Sequence, residues 1–171
     1  PNAMCIFRGK EYAIEIANEL MLEIWERKIE DVINKPVFEA LPEAKGQGLE
    51  AILEKVYTTG EKFTAYELPV KLTRKGKIEN TFINVVYDAL KEPDGTISGI
   101  VAIANDVTLQ VISRSAVEES EKRFRNTVKQ LPLGIAILKG QDLIVEMANT
   151  TYLQIVDKKE DDILNKPVFE L

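Results

Sequence analysis

The pattern of apolar and polar positions predicts an opening hairpin followed by a short helix. Two apolar runs, residues 3–8 and 12–16, flank a turn that contains Gly9, and short runs around a glycine are typical of antiparallel strands. Asn18 then stands where the N-cap of a helix is expected. Apolar residues recur after it at helical spacing, at Leu20, Met21, Ile24 and Trp25.

The middle of the chain predicts one amphipathic helix and three longer strands. Leu49, Ile52, Leu53 and Val56 follow the i, i+3, i+4, i+7 spacing of a helix that ends before Gly60. Strand-like runs at 63–73, 78–90 and 97–105 are joined by turn residues, among them Pro93-Asp94-Gly95. Pro69 in the first of these runs predicts an edge strand or a bulge. The order of elements indicates an α+β fold with an antiparallel sheet.

The chain also repeats itself at an offset of 131 residues. Asn34-Lys35-Pro36-Val37-Phe38-Glu39 recurs as Asn165-Lys166-Pro167-Val168-Phe169-Glu170, and 16 of forty gapless positions are identical. A period of this length suits a whole domain with its connector. We therefore expect a first domain at 1–108, a linker at 109–131 and the N-terminal part of a second, incomplete domain at 132–171.

The linker is predicted to be a helix with an apolar stripe. Leu109, Ile112 and Ala116 are three and four residues apart, and the stripe resumes one residue out of phase at Val117, Phe124, Val128 and Leu131. This pattern favours a parallel coiled coil and hence a homodimer, with a break or a change of packing near Ala116 and Val117. The alternative is a monomeric helix that packs on its own domain.

The amino-acid composition excludes several kinds of binding partner, catalytic site and metal site. The 22 basic and 28 acidic residues give a net charge of −6, which argues against nucleic acid or an anionic membrane as a partner. There is one cysteine, Cys5, and no histidine, so nucleophile pairs with histidine, histidine-ligated haem and a cysteine-based zinc site are excluded. No stretch has the ~20 apolar residues of a membrane span. We expect a cytoplasmic, non-catalytic piece without a metal, whose parent protein can be membrane-attached elsewhere.

Several of these features together resemble the PAS family of sensor domains. They are the layout of the elements, Asn18, the Asn34-Lys35-Pro36 step, the Pro93-Asp94-Gly95 hairpin, and Asp106-Val107-Thr108, which is similar to the family's Asp-x-Thr signature. The resemblance implies a five-stranded antiparallel sheet, flanked by short helices, that encloses a small pocket. In this family such pockets hold flavin, haem, small organic acids or nothing. Flavin photochemistry uses a cysteine in a helix beside the flavin, whereas Cys5 lies on the first strand, so the cofactor is left unknown.

The candidate pocket residues come from the apolar pattern and from this resemblance. They are aromatic, small or amide side chains expected near the sheet interior: Trp25, Phe38, Tyr66, Asn84, Val86, Ile100 and Ala102. Asn84 is expected to contact a ligand, or alternatively to lie on the exposed face or pair within the protein. The alternative for the aromatic residues is a plain core or an interface, where aromatic side chains at this spacing are more often found. Asp106, Val107 and Thr108 are expected to cap the linker helix and to relay changes from the sheet.

These observations lead to a prediction of function. The chain is expected to be the sensory module of a bacterial multi-PAS protein, a histidine kinase, that binds a small ligand or a partner and relays the change through the linker helix. It is expected to form a homodimer through that helix or through a sheet face. The alternatives are a ligand-free dimerisation or spacer module, and the sensor part of another output protein such as a diguanylate cyclase. The truncated second unit is expected to pack on a neighbour or on an exposed sheet edge.

Overall fold

A computed structural model describes residues 2–170, which divide into two compact units between Ile112 and Ser113. The first unit opens with the strands β1 (Ala3–Arg8) and β2 (Ala13–Ala17) and the helices α1 (Glu19–Trp25), α2 (Ile29–Val32) and α3 (Val37–Ala40). A 3-10 turn at Pro42–Ala44 and helix α4 (Leu49–Thr59) follow. The strands β3 (Phe63–Arg74), β4 (Lys77–Lys91) and β5 (Ile97–Asp106) complete the unit, and helix α5 (Thr108–Gln130) begins in it.

The five strands form one antiparallel sheet in the order β2-β1-β5-β4-β3. This confirms the predicted fold. β3 lies at one edge of the sheet, the position that Pro69 predicts because a proline has no N–H to donate to a second neighbouring strand. The inner face of the sheet and the short helices enclose the core, in which Ile14, Leu53 and Ile100 are among the fully buried side chains.

The second unit contains the remaining elements of the chain. It holds most of α5, the strands β6 (Ala136–Lys139) and β7 (Ile144–Ala148), the helices α6 (Thr150–Val156) and α7 (Glu160–Ile163), and a 3-10 turn at Val168–Glu170. The two strands pair as an antiparallel hairpin. A small core of Val145, Ala148 and Ile163 lies between the hairpin and the helices.

Helix α5 runs without interruption through Ala116 and Val117. The break expected from the shift of the apolar stripe is therefore absent. The residues between Val117 and Phe124 are polar or charged, and such residues continue the helical hydrogen bonds regardless of which face of the helix is apolar. Several stripe residues are exposed on the helix: Leu109, Ile112, Val117 and Phe124.

Candidate functional site

A cavity of about 70 Å³ lies inside the first unit, between the sheet and the helices. Its walls are almost entirely apolar. The lining side chains from the strands are Cys5, Phe7, Leu68, Val70, Leu72, Ile83, Val85, Tyr87, Ala102 and Ala104. Those from the helical segments are Met21, Ile24, Trp25, Val37, Phe38, Leu41, Ala44, Leu49 and Leu53.

Three side chains of the lining carry a hydrogen-bonding group: Cys5, Tyr87 and Trp25, whose indole N–H is a donor. Burial raises the pKa of the Cys5 thiol and of the Tyr87 hydroxyl, so both groups stay protonated at neutral pH. The Tyr87 ring stacks on Phe63, with ring centroids 6.1 Å apart and an interplanar angle of 21°. The cavity is therefore an uncharged, apolar space.

The structure brings three of the seven candidate pocket residues to this cavity. Trp25 at the end of α1, Phe38 in α3 and Ala102 in β5 all line it. Ile100 is fully buried in the same core but is not among the lining residues. Trp25 and Ala102 face the cavity because α1 and β5 each turn an apolar side toward the sheet interior.

Tyr66, Asn84 and Val86 lie on the other face of the sheet, where they border a shallow surface depression. The placement of Tyr66 follows from a bulge. Ala65 pairs with Val85 and Leu68 with Ile83, so β3 carries one extra residue between these pairs and the alternation changes phase. Tyr66 is 79% exposed. Strict alternation would put Tyr66 on the same face as Leu68 and Val70, but the extra residue puts it on the other face.

The side chain of Asn84 is used to hold this bulge. Its Oδ1 accepts a hydrogen bond from the backbone N–H of Glu67, at 2.8 Å, and Glu67 has a left-handed φ of 51°. The structure therefore gives Asn84 a pairing within the protein, which is one of the alternatives that the sequence left open.

The cavity residues on β4 are those on the face opposite Asn84. Ile83, Val85 and Tyr87 line the cavity, and none of the three is among the seven candidate pocket residues. A usable signal exists, because this face carries only apolar or aromatic side chains at its centre while the other carries Asn84 and Asp88. The face without polar groups is the one that a sheet turns toward its core.

The junction between β5 and α5 is held by hydrogen bonds to β4. Val107 N–H donates to the Phe82 carbonyl at 2.9 Å, and the Phe82 N–H donates to Thr108 Oγ1 at 2.9 Å. The Thr108 N–H donates to Asp106 Oδ1 at 2.8 Å. Val107 and Thr108 are buried. The three predicted relay residues thus join the first turn of α5 to the sheet.

An ion pair extends this junction toward α1. The Arg74 guanidinium donates to Asp106 Oδ2 and also contacts the backbone carbonyl of Ile24, at 3.4 Å. Burial of Asp106 opposes its ionisation, but the hydrogen bonds from Thr108 and the Arg74 charge outweigh that cost and lower the pKa of Asp106. Ile24 also lines the cavity, so a short chain of contacts connects the cavity wall to the start of α5.

The cavity does not fit the cofactors that this kind of fold can hold. A cavity of about 150 Å³ accommodates benzene, so about 70 Å³ is far too small for a flavin ring system or a haem without rearrangement. The chain contains no histidine, and the only thiol, Cys5, is kept neutral by burial. Within residues 2–170 no three His, Cys, Asp or Glu side chains are grouped so that they can hold a metal ion.

None of the helices described in residues 2–170 combines the length and the apolarity required to cross a bilayer. The longest helix, α5, carries charged residues throughout its central turns.

Comparison with known proteins identifies the family. A family model described as the PAS fold matches residues 1–111. The chain is similar to the PAS domain of the histidine kinase ThkA, with 15% identity, a TM-score of 0.48, and coverage of 61% of this chain and 98% of that one. It is also similar to a sensory box sensor histidine kinase from Vibrio cholerae, with 22% identity, a TM-score of 0.49, and coverage of 63% and 82%.

A third similar structure is an RNA-binding light-oxygen-voltage receptor. It matches with 11% identity and a TM-score of 0.55 over 71% of this chain and 34% of that one. At this identity the likeness concerns the fold alone. The chain belongs to the PAS family of sensory domains.

Proposed function

We propose that this chain is the sensory and relay part of a bacterial multi-PAS signalling protein. In this proposal the cavity of the first unit senses a small ligand or a partner, and α5 carries the change to the next unit. The parent protein is proposed to be a histidine kinase, on the basis of the sequence repeat and of the linker that resembles those of multi-PAS sensors. The chain itself is proposed to be non-catalytic, since a kinase's phosphoacceptor histidine is not among its residues.

The observation that carries the proposal is the path from the cavity to α5. β4 contributes Ile83, Val85 and Tyr87 to the cavity, and Phe82 of the same strand holds Val107 and Thr108. A shift of β4 that follows a change in cavity occupancy therefore acts directly on the first turn of α5. Such a shift occurs if the ligand binds one arrangement of β4 more tightly than the other.

Two apolar surfaces support a homodimer. On α5, Leu109 is 82% exposed and Ile112 53% exposed, which is costly for a helix in water unless a partner covers the stripe. On the outer face of the sheet, Met4, Ile16 and Tyr66 are exposed large apolar side chains. The helix stripe is the surface that we assign to dimerisation, because a coiled coil would also transmit movement along its axis.

The second unit supports a tandem arrangement. Asn149 caps α6 as Asn18 caps α1, with its side chain accepting from the N–H three residues later in both cases. The bridge between Ala13 and Pro36 has its counterpart between Ile144 and Pro167. We infer that residues 132–171 are the opening part of a second PAS domain.

The relay is tested by filling the cavity. In the Ala102→Val variant two carbon atoms enter the cavity space, whereas Val101→Ile adds one carbon to the outer face of the same strand as a matched control. We expect amide chemical shifts to change at Phe82 and from Val107 to Val111 in the first variant and to change little there in the second. A perturbation confined to the strands in both variants would contradict the relay.

The alternative function is a spacer that dimerises without sensing a ligand. The small size of the cavity, about 70 Å³, is the observation that favours it. The amide-shift experiment on the Ala102→Val variant, combined with light scattering, distinguishes the two functions. A spacer would dimerise through the Leu109 and Ile112 stripe but would show no response of α5 to the Ala102→Val change.

A further inference from the structure

The cavity contains one hydroxyl group whose hydrogen-bonding capacity is unused. Among residues 2–170 no hydrogen bond involves the Tyr87 hydroxyl, although Tyr87 lies between two paired strands, opposite Phe63 of β3 and Ala102 of β5. The other hydrogen-bonding groups in the lining are the Cys5 thiol, a weak donor and a weak acceptor, and the Trp25 indole N–H, which can only donate. The hydroxyl of this half-buried tyrosine is therefore available to form a hydrogen bond with a ligand in the cavity.

The lining excludes charged ligands. It contains no Lys, Arg, Asp, Glu or amide side chain. A carboxylate or ammonium group placed there would lose its hydration without gaining an ion pair, which is among the most costly events in a protein interior. Arg74, the nearest basic residue of the junction, is already engaged by Asp106 and by the Ile24 carbonyl.

The volume limits the size of the ligand. Since a cavity of about 150 Å³ holds the six carbon atoms of benzene, the cavity of about 70 Å³ has room for a molecule of roughly three or four non-hydrogen atoms. Phe38 is a half-buried side chain that lines both the cavity and an outer groove.

We propose that the cavity binds a small uncharged organic molecule with a single hydrogen-bonding atom, and that the Tyr87 hydroxyl makes that hydrogen bond. The apolar part of the ligand contacts side chains such as Met21, Leu53 and Val85, which line the same space. The inference rests on the proposed sensory function, for which it names the ligand class. It excludes organic acids, which the family resemblance alone leaves open.

Three probes of equal size and shape test the ligand class on the full chain. Acetone, acetate and isobutene each have four non-hydrogen atoms in a planar, branched arrangement, but they are a neutral acceptor, an anion and a hydrocarbon. Binding is followed by NMR through the methyl groups of Met21, Leu53 and Ala102. We expect saturable shifts with acetone, weaker binding of isobutene, and no saturable shift with acetate at neutral pH.

Two tyrosine variants test the role of the hydroxyl. Tyr87→Phe keeps the ring but removes the hydroxyl, and we expect it to weaken acetone binding by roughly 3- to 10-fold, the typical net effect of one hydrogen bond, while isobutene binding is unchanged. Tyr57→Phe is the matched control, because Tyr57 packs against Tyr12 outside the cavity, and it should change neither affinity. Preserved methyl dispersion establishes that each variant is folded.

The outcomes separate this inference from the proposed function. Acetate binding as tightly as acetone, or equal acetone affinity in the Tyr87→Phe variant, would overturn the ligand class or the role of the hydroxyl. Absence of binding by both acetone and isobutene would overturn the inference as a whole. None of these results alters the response of α5 to Ala102→Val, which needs no ligand and reports on the relay alone.

Discussion

The opening parts of the two units, residues 2–40 and 133–170, have nearly the same backbone. Asn18 and Asn149 have φ and ψ of −82° and 168°, and −89° and 166°; the helices after them end at Glu26 and Asp157, both left-handed. Asn34 and Asn165 have φ of 60° and 59°. Forty residues with 16 identities are therefore enough to reproduce caps, turns and a bridge.

The same two regions differ in burial. Trp25 is 6% exposed, while its counterpart Val156 is only half-buried. Phe38 lines the cavity, whereas the equivalent Phe169 is 85% exposed. The reason is that α4 and the strands β3–β5 cover the helices in the first unit, and the described residues of the second unit contain no counterpart of them. Local residues determine the backbone, and distant ones determine which side chains are buried.

The largest expected effect comes from Trp25, which is buried in the first unit while its counterpart Val156 is only half-buried. Trp25→Ala should destabilise the first unit by about 3–5 kcal/mol, since it removes a large buried side chain. Val156→Ala at the equivalent position should cost less than about 1 kcal/mol, because little apolar area is lost there. Urea denaturation followed by circular dichroism measures both. Equal losses would show that the two units are covered to the same degree.

The next effect concerns the two capping asparagines. Asn149 is fully buried, and its Nδ2 donates to the carbonyls of Val128, Leu131 and Leu133, whereas Asn18 Nδ2 donates only to Asn2. Asn149→Asp places a carboxylate oxygen against three carbonyl oxygens and should cost about 2–3 kcal/mol.

The matched control for that change is Asn18→Asp, which should cost about 1 kcal/mol or less because this site is less buried and the cap to Met21 is kept. Hydrogen exchange is the second readout. It should accelerate near Leu131 at the end of α5 in the Asn149 variant only. Unchanged exchange there would contradict the anchoring of the end of α5 by Asn149.

A smaller effect is a dependence of stability on pH that we expect for the first unit. Because the pKa of Asp106 is lowered in the folded state, its contribution to stability is present above the unfolded value, about 3.9, and is lost as the pH falls through the folded value. Asp106→Asn should cost about 1 kcal/mol at neutral pH and flatten the acid side of the stability curve of the first unit. Asp88→Asn, which breaks the exposed pair with Lys62, should have almost no effect.

The smallest effect tests how closely the second unit copies the first. Gly134 stands where the first unit has the buried Ala3. A methyl group at Gly134 would meet the terminal Cδ1 of Ile155, at 2.6 Å, and the end of a flexible side chain can move aside. Gly134→Ala should therefore cost less than about 1 kcal/mol.

Gly99→Ala is the contrasting variant, because its added methyl group would collide with the backbone oxygen of Phe7. That oxygen cannot move without disturbing the pairing of β1 with β5, so a loss of about 1–3 kcal/mol is expected. Thermal unfolding measures both variants. A larger loss for Gly134→Ala than for Gly99→Ala would mean that the second unit packs differently from the first at this position.

The candidate site shows which pocket residues can be predicted from the sequence and which cannot. Trp25, Phe38 and Ala102 were found because helical spacing and strand alternation identify apolar faces. Tyr66 was wrongly assigned to the pocket because the bulge at Glu67 adds one residue to β3; Pro69 predicts an edge strand or a bulge but does not give the position of the extra residue. Asn84 and Val86 were placed on the wrong side since alternation separates two faces of β4 but does not by itself say which one is inside.

The sequence by itself determined the order of the elements, the caps at Asn18 and Asn149, the repeat, and the signature at Asp106-Val107-Thr108. These depend on residues that are close along the chain, so their physical causes are readable locally. Only the tertiary structure decided which face of β4 meets the helices, that Arg74 joins Asp106 to Ile24, and that Tyr87 faces a cavity without a partner. Each of these requires the packing of segments that are far apart in sequence, and packing depends on the whole fold.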